Sequence, residues 1–318
     1  EMDRVPKAGY PIEGLWISGS KRELSFDNLS FTFKLISSMI KARKILKRTK
    51  PDIVIGVGGF ASGPTLRMAA SLNIPILIQE QNSYPGVTNK IMGKKADKIC
   101  VAYDNMHQWF PKDKIVVTGN PLRNNIKPVD DRKTDAMNYF DLDPNKKTIL
   151  LVGGSQGALG INKGISAQLS LFSDKEYQMI WQTGKFYYET AVNEVKSNGL
   201  EDKIKCTVFI DRMDLAYAAA DVVISRAGAI SISELSLLGK AVVFVPLPTA
   251  AEDHQTKNAK RLVDADAALM VKNDATEKSL LPKVFELLDD EPRQNQLKQN
   301  IARFAKPNAA DDIVNQIE

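Results

Sequence analysis

Two cysteines in 318 residues, Cys100 and Cys206, stand far apart in apolar runs. That scarcity excludes a disulfide framework and a thiolate metal cluster, and it suits a reducing cytoplasm. Histidine is equally rare: His107 and His254 are the only two, and neither has ligand spacing to a partner. No apolar stretch reaches the roughly 18 residues of a membrane-spanning helix, and the amino terminus carries no signal-peptide pattern. Solenoid-period repeats and low-complexity tracts are also missing. The formal charge of +5 is modest, so no nucleic-acid partner is expected, and the placement of the basic residues matters more than their sum.

What is present is apolar content, 43% of the chain, enough for two domains with separate cores. Short β-branched runs alternate with helix-length amphipathic segments, the signature of parallel sheets built from βαβ units. The expected fold class is therefore α/β. Strands are predicted near 53–57, 76–79, 98–102 and 115–117, then near 148–152, 179–182, 205–209, 222–225, 242–245 and 269–271. The polar, mixed-charge segment between the two series is the expected linker. The expected division is a first domain over 1–124, a linker over 125–147 and a second domain over 148–318, with the last helix packing back on the first domain.

Three glycine-rich turns follow strands. In PDIVIGVGGFASGP (51–64), Gly56, Gly58 and Ala61 satisfy the G-x-G-x-x-A dinucleotide fingerprint, and Glu80 lies about where its acidic partner belongs. Against a nicotinamide site stands Pro64, near where the helix would start, and the general use of glycine in tight α/β turns. In ILLVGGSQGALGINKG (149–164), Gly153 and Gly154 admit a close ligand, while Ser155 and Gln156 offer a hydroxyl, an amide and main-chain N–H groups at a helix start. It is not a Walker A loop, because no Lys-Ser or Lys-Thr pair follows at the required spacing. The third turn, in ADVVISRAGAISISELSLLGK, places the amides of Ala229, Ile230 and Ser231 toward an anion, with Glu234 further along the same helix. A carboxylate there suits a ribose diol, although it also suits a helix-start acid complementing the dipole. Two anion turns and a diol acceptor together describe a nucleoside diphosphate.

The motifs SRAGAISISEL, GGSQGALGIN, EQNSYPGVTNK, VTGNPLR and AEDHQTKNA, which match in order along the chain, together closely resemble the MurG family of peptidoglycan N-acetylglucosaminyltransferases. The resemblance implies a GT-B fold, two Rossmann-like doubly wound domains facing a cleft. It implies transfer of N-acetylglucosamine from UDP to the undecaprenyl-pyrophosphoryl muramoyl-pentapeptide, with inversion and without a cofactor, at the inner face of the bacterial membrane. In that family's terms Ser155 and Gln156 meet the donor diphosphate and Ala229 to Ser231 bind it through main-chain amides. Glu234 holds the ribose, Ile210 meets the uracil through its backbone and Gln255 contacts the sugar. Asn82 and Arg123 reach in from the first domain.

By position, GVGGFASGP then faces the acceptor, where Gly58, Gly59, Ser62 and Gly63 could admit the acceptor pyrophosphate to main-chain N–H groups. No metal site is expected: the D-x-D triplets Asp141–Asp143 and Asp264–Asp266 fall in the linker and on a surface helix. The family's candidate base is a histidine in a GGTGGH loop. The opening EMDRVPKAGYPIEGLWISG resembles family sequence some forty residues in, so that loop is expected to be missing and the chain to bind UDP yet transfer slowly. Other readings are another nucleotide-sugar GT-B transferase and a non-catalytic UDP-sugar-binding subunit. Finally, FTFKLISSMIKARKILKRTK (31–50) places Phe31, Leu35, Ile36, Met39 and Ile40 beside six basic residues, an anionic-membrane contact or a helix packed on its own sheet with a solvated basic face.

Overall fold

The computed structural model describes residues 2, 4–17, 26–123, 126, 132–154 and 157–317. Two compact units emerge: Glu1–Gly119 with Asp311–Glu318, and Asn120–Ala310.

The first unit contains α1 (Arg4–Lys7), α2 (Phe26–Thr49), β1 (Val54–Gly56), α3 (Ser62–Ser71), β2 (Ile76–Glu80), α4 (Val87–Gly93), β3 (Lys98–Val101) and β4 (Ile115–Val117). Its four strands are parallel and lie in sequence order. Every residue of β2 is buried, as a parallel strand covered on both faces must be, and this is why it reads as one apolar run. Helix α2 packs on α3 through a stripe that includes Ala42 and Leu46.

The second unit contains α5 (Lys133–Phe140), β5 (Lys147–Val152), α6 (Leu159–Ser166), β6 (Tyr177–Gln182), α7 (Tyr188–Ser197), β7 (Ile204–Thr207), α8 (Met213–Ala219), β8 (Val222–Ser225) and α9 (Ala229–Leu237). It continues through β9 (Ala241–Phe244), α10 (His254–Asp264), β10 (Leu269–Met270), α11 (Thr276–Asp289) and α12 (Glu291–Ala302); α13 (Ala309–Val314) begins at its end and from Asp311 groups with the first unit. The parallel sheet has the order β10-β9-β8-β5-β6-β7. Numbered from its own first strand this is 6-5-4-1-2-3, the doubly wound order whose switch point lies between β5 and β8. One core fills each face: Ile149, Trp181 and Leu281 belong to one, Leu150, Val223 and Leu262 to the other.

All ten expected strands are present in order, and the fold is the expected pair of parallel-sheet α/β domains. Two details differ from the sequence reading. Strand β7 stops at Thr207, leaving Val208 and Phe209 partly exposed in the loop before Ile210. Residues 133–140, within the segment expected as a linker, form α5, whose Ala136 and Met137 bury against α8.

Candidate functional site

Val152 and Ser225 are register partners at the carboxyl ends of β5 and β8, so the two glycine turns leave the sheet side by side at the switch point. There the chain changes direction on both sides, opening the crevice in which such sheets bind ligands. The first turn needs glycine. Gly154 and Gly157 have φ of +85° and +77°, and a Cβ on Gly157 would stand 2.2 Å from the Thr183 carbonyl oxygen. Gln182 ties the turn down, its Nε2 donating to the Gly154 carbonyl at 3.0 Å. Ser155 and Gln156 lie outside the described residues.

The second turn opens α9. Gly228 stands at the N-cap without a side-chain cap, and the first intrahelical bond runs from Ile232 N–H to the Gly228 carbonyl. The amides of Ala229, Ile230 and Ser231 therefore precede the helical ladder, with the positive end of the dipole behind them. A pocket of about 430 Å³ lies against both turns, lined also by Arg226, Leu247, Gln255 and Asn273.

Arg226 was not singled out from the sequence. Its Nη1 donates to the carbonyls of Val245 at 3.0 Å and Pro246 at 3.1 Å, and to Asn273 Oδ1 at 2.8 Å. Burial pushes its pKa down to about 10, which leaves the guanidinium charged at neutral pH. All three bonds use one nitrogen, so the rest of the fork is uncommitted among the described residues. The pocket thus holds a positive charge fixed to its frame.

One turn inward from Ser231, Glu234 is buried at 5% exposure. Its Oε2 accepts a hydrogen bond from the buried Tyr217 hydroxyl at 3.0 Å, while Oε1 is buried with no hydrogen-bond partner among the described residues. Arg123 Nε stands 3.9 Å from Oε1, an ion-pair distance beyond hydrogen bonding. Desolvation raises the Glu234 pKa, opposed by the Tyr217 hydrogen bond and the Arg123 charge. Arg123 groups with the second unit, not with the first as the sequence suggested. The physical reason is local: Asn120 Nδ2 donates to Ser233 Oγ at 3.0 Å, anchoring the NPLR segment on α9.

Other expected residues are placed as follows. Gln255 lines the pocket, but its Oε1 accepts from the Leu247 N–H at 2.9 Å, turning that side of the amide to its own loop. Ile210 is buried in the loop after β7. Asn82, in the first unit, binds Glu80 through its main-chain N–H at 3.0 Å and its Nδ2 at 3.3 Å. Glu80 also receives Gly86 N–H and Asn89 Nδ2, so it is the buried hub of its loop and not the ribose acceptor a dinucleotide site requires. Gly58, Gly59, Ser62 and Gly63 lie together at the start of α3, where Ser62 Oγ donates to the Gly58 carbonyl.

Among the described residues no group of three or more His, Cys, Asp or Glu could hold a metal ion. Three of the four acids of the D-x-D triplets have cationic partners: Asp141 meets Lys205, Asp264 meets Lys260 and Asp266 takes Arg293 on both oxygens, while Asp143 accepts from Asn145.

Fold and pocket define a protein of two parallel-sheet α/β units with an anion-accepting pocket at a sheet switch point, and comparison with known proteins narrows this. The glycosyltransferase family 28 C-terminal domain model matches residues 148–314, and the N-terminal domain model of the same family matches 1–101. A protein of Parabacteroides distasonis is 52% identical over the whole chain and 86% of its own length; one of Flavobacterium psychrophilum is 50% identical over the whole chain and 85% of its length. Both are named UDP-N-acetylglucosamine--N-acetylmuramyl-(pentapeptide) pyrophosphoryl-undecaprenol N-acetylglucosamine transferase. The crystal structure of Acinetobacter baumannii MurG matches with a TM-score of 0.79 and 28% identity, covering 99% of this chain and 87% of that one. A UDP complex of Staphylococcus aureus MnaA, at 18% identity over 90% of this chain and 80% of its own with a TM-score of 0.65, shares the fold. The chain belongs to the MurG family within glycosyltransferase family 28.

Proposed function

We propose that the protein moves N-acetylglucosamine from UDP-N-acetylglucosamine to undecaprenyl-pyrophosphoryl-N-acetylmuramoyl-pentapeptide, converting lipid I to lipid II. It is an N-acetylglucosaminyltransferase of peptidoglycan synthesis. The observation that carries the donor half is the pocket at the β5/β8 switch point, where glycine turns, the start of α9 and the charged Arg226 converge. The diphosphate lies on the amides of Ala229 to Ser231, with Ser155 and Gln156 completing its cradle. Glu234 accepts the ribose hydroxyls, Ile210 meets the uracil through its main chain, and Arg123, Gln255 and Asn82 approach the donor. When the glycosidic bond breaks, negative charge grows on the departing UDP. The α9 amides and the Arg226 guanidinium already face that charge and reorganise little. Gly58, Gly59, Ser62 and Gly63 receive the acceptor pyrophosphate. The test is transfer of labelled N-acetylglucosamine from UDP to a soluble lipid I analogue. Product with lipid I supports the reading; transfer only to other acceptors indicates a different nucleotide-sugar transferase, and UDP binding without turnover a non-catalytic subunit.

Among the described residues no helix is long and apolar enough to cross a membrane, so a polyprenyl acceptor calls for a surface contact. Helix α2 provides it. Phe33, Ile36 and Ile40 are exposed at 66%, 51% and 53% and line a groove with Ser37, Lys41 and Lys44. Leu35 and Met39 turn half inward, and Phe33 takes the outward place that the sequence reading gave to them. Exposed Trp16, with Lys34 at 5.8 Å from its ring centroid, extends the same chemistry. Each basic side chain contributes about 1 kcal/mol near an anionic surface. On this reading the protein works peripherally, at the cytoplasmic face of the membrane. Co-sedimentation with anionic but not neutral vesicles, lost at high salt, supports the contact; indifference to lipid charge rejects it.

A further inference from the structure

The carboxylate of Glu234 has two oxygens in unequal circumstances. Oε2 receives the Tyr217 hydroxyl at 3.0 Å. Oε1 has no hydrogen-bond donor among the described residues and is turned toward Arg123, whose side chain is 66% exposed. A glutamate has three rotatable bonds, so a carboxylate beside a ligand pocket is not held by its backbone alone. Here the holding group is rigid. Tyr217 is 3% exposed, its ring fixed in the same core that receives Leu215, Val223 and Ile232. Its hydroxyl proton can satisfy one carboxylate oxygen and no more.

A purely structural role would be complete if the hydroxyl neutralised the hydrogen-bonding need of a buried acid. The structure shows something narrower. One oxygen is satisfied from the core side, and the other is left as a buried acceptor on the side of the exposed Arg123, three residues along α9 from Ser231 of the pocket lining. Leaving an acceptor unpaired in a buried position costs stability, and a ligand hydroxyl removes that cost on binding.

We propose that Tyr217 is a positioning residue for donor recognition: holding Glu234 through Oε2, it presents Oε1 to the ribose hydroxyls of a uridine diphosphate sugar. The proposal rests on the reading of Glu234 as the ribose acceptor and adds to it the group that aims it. Preorganisation of this kind contributes to affinity by removing the ordering cost that a freely rotating carboxylate would incur. The contribution is specific to ligands that carry the diol.

The test is calorimetry of the 318-residue chain with UDP and with 2′,3′-dideoxy-UDP, comparing wild type, Tyr217→Phe, Glu234→Ala and the double variant. Phe keeps the ring in the core, and unfolding transitions of each variant establish that the site is intact. The wild type is expected to prefer UDP over the dideoxy compound, and Glu234→Ala to abolish that preference. Tyr217→Phe should weaken UDP roughly three- to tenfold, the range of one net hydrogen bond, with dideoxy-UDP unchanged. In the Glu234→Ala background the same change should have no further effect on UDP. If Tyr217→Phe weakens both ligands equally, or neither, Tyr217 is only a core residue and the proposal fails while the Glu234 reading stands. If the wild type does not discriminate, or Glu234→Ala still does, the Glu234 reading falls and the proposal with it. Should Tyr217→Phe prove unstable, the cycle is run with Tyr217→Met, which is smaller, adapts to the core and has no hydroxyl to donate. Equal weakening of both ligands then again overturns the proposal, and selective weakening of UDP supports it.

Discussion

The glycine turns after β1 and β5 share a pattern and differ in what surrounds them. Each follows a parallel strand, and each uses glycines of positive φ: Gly58 and Gly59 in one, Gly154 and Gly157 in the other. In the first unit the loop's carbonyls are tied by neutral side chains, Gln81 to Val57, Ser62 to Gly58 and Thr88 to Gly59. In the second unit the turn stands beside a second turn, a half-buried guanidinium and the start of a nine-residue helix. The difference teaches that a glycine fingerprint reports only that a backbone can bend and approach. Charge and neighbouring helix ends decide what it approaches, and these come from residues far away in sequence.

The comparison is broken most severely by adding one methyl group to each turn. Gly157→Ala drives a Cβ to 2.2 Å from the Thr183 carbonyl oxygen at a φ of +77°. We expect a loss of about 3–5 kcal/mol in stability of the second unit, with UDP binding abolished, because backbone has to move. Gly59→Ala has the same φ of +77° but nothing within 4 Å, so its cost should be the conformational one alone, about 1–2 kcal/mol, with UDP affinity intact. Urea unfolding and calorimetry on the two variants measure both quantities, and equal losses would show that space around the turn is not what separates them.

A smaller effect separates the two buried glutamates. Glu234→Ala should weaken UDP binding by about 1.5–3 kcal/mol, the range for hydrogen bonds to a charged group. Glu80→Ala should leave UDP affinity within about 0.5 kcal/mol, since its oxygens serve its own loop, while lowering the stability of the first unit. Unchanged UDP affinity in a folded Glu234→Ala protein would remove the ribose assignment.

The smallest effect is a pH slope that sharpens the role of Glu234. Burial raises its folded pKa above the unfolded value, so the ionised carboxylate weighs against the fold. Its contribution to stability is full below the unfolded pKa and is lost as pH rises through the folded one. Glu234→Gln should therefore gain thermal stability relative to wild type as pH increases across that window. Donor affinity should move oppositely, weakening as pH falls through the same raised pKa, because the diol needs an ionised acceptor. Tyr217 and Arg123 are the titratable groups facing it, and both favour the charged form. Parallel melting and calorimetric titrations against pH check the two signs; slopes in the same direction would refute the assignment.

Much of this was legible in the sequence because parallel strands bury both faces and so read as apolar runs; β2 and β6 are buried throughout. The donor turns were legible because small residues after such runs leave few alternatives. Helix α5 was not, since Ala136 and Met137, with Phe140 at its end, are its contribution to the core from an otherwise polar segment. Tyr217 sits in LAYAAAD, where an aromatic among alanines reads as packing, and its partner lies 17 residues on in another helix. Asn273 meets Arg226 across 47 residues, a pairing that only the closed sheet creates. Arg226 lay within a recognised motif, yet its function depends on β9 and the loop after β10 coming to it.

The framed guanidinium of Arg226 has a thermodynamic corollary. A cation held in a pocket by three acceptors cannot follow its counterions into solvent, so we expect small anions in the medium to be drawn to it. By linkage, such an anion stabilises the native second unit as the logarithm of its concentration over its dissociation constant. Under the proposed function it must also leave before a diphosphate enters. Phosphate or sulfate buffer is then a competing ligand, so donor affinity is a property of protein and electrolyte together.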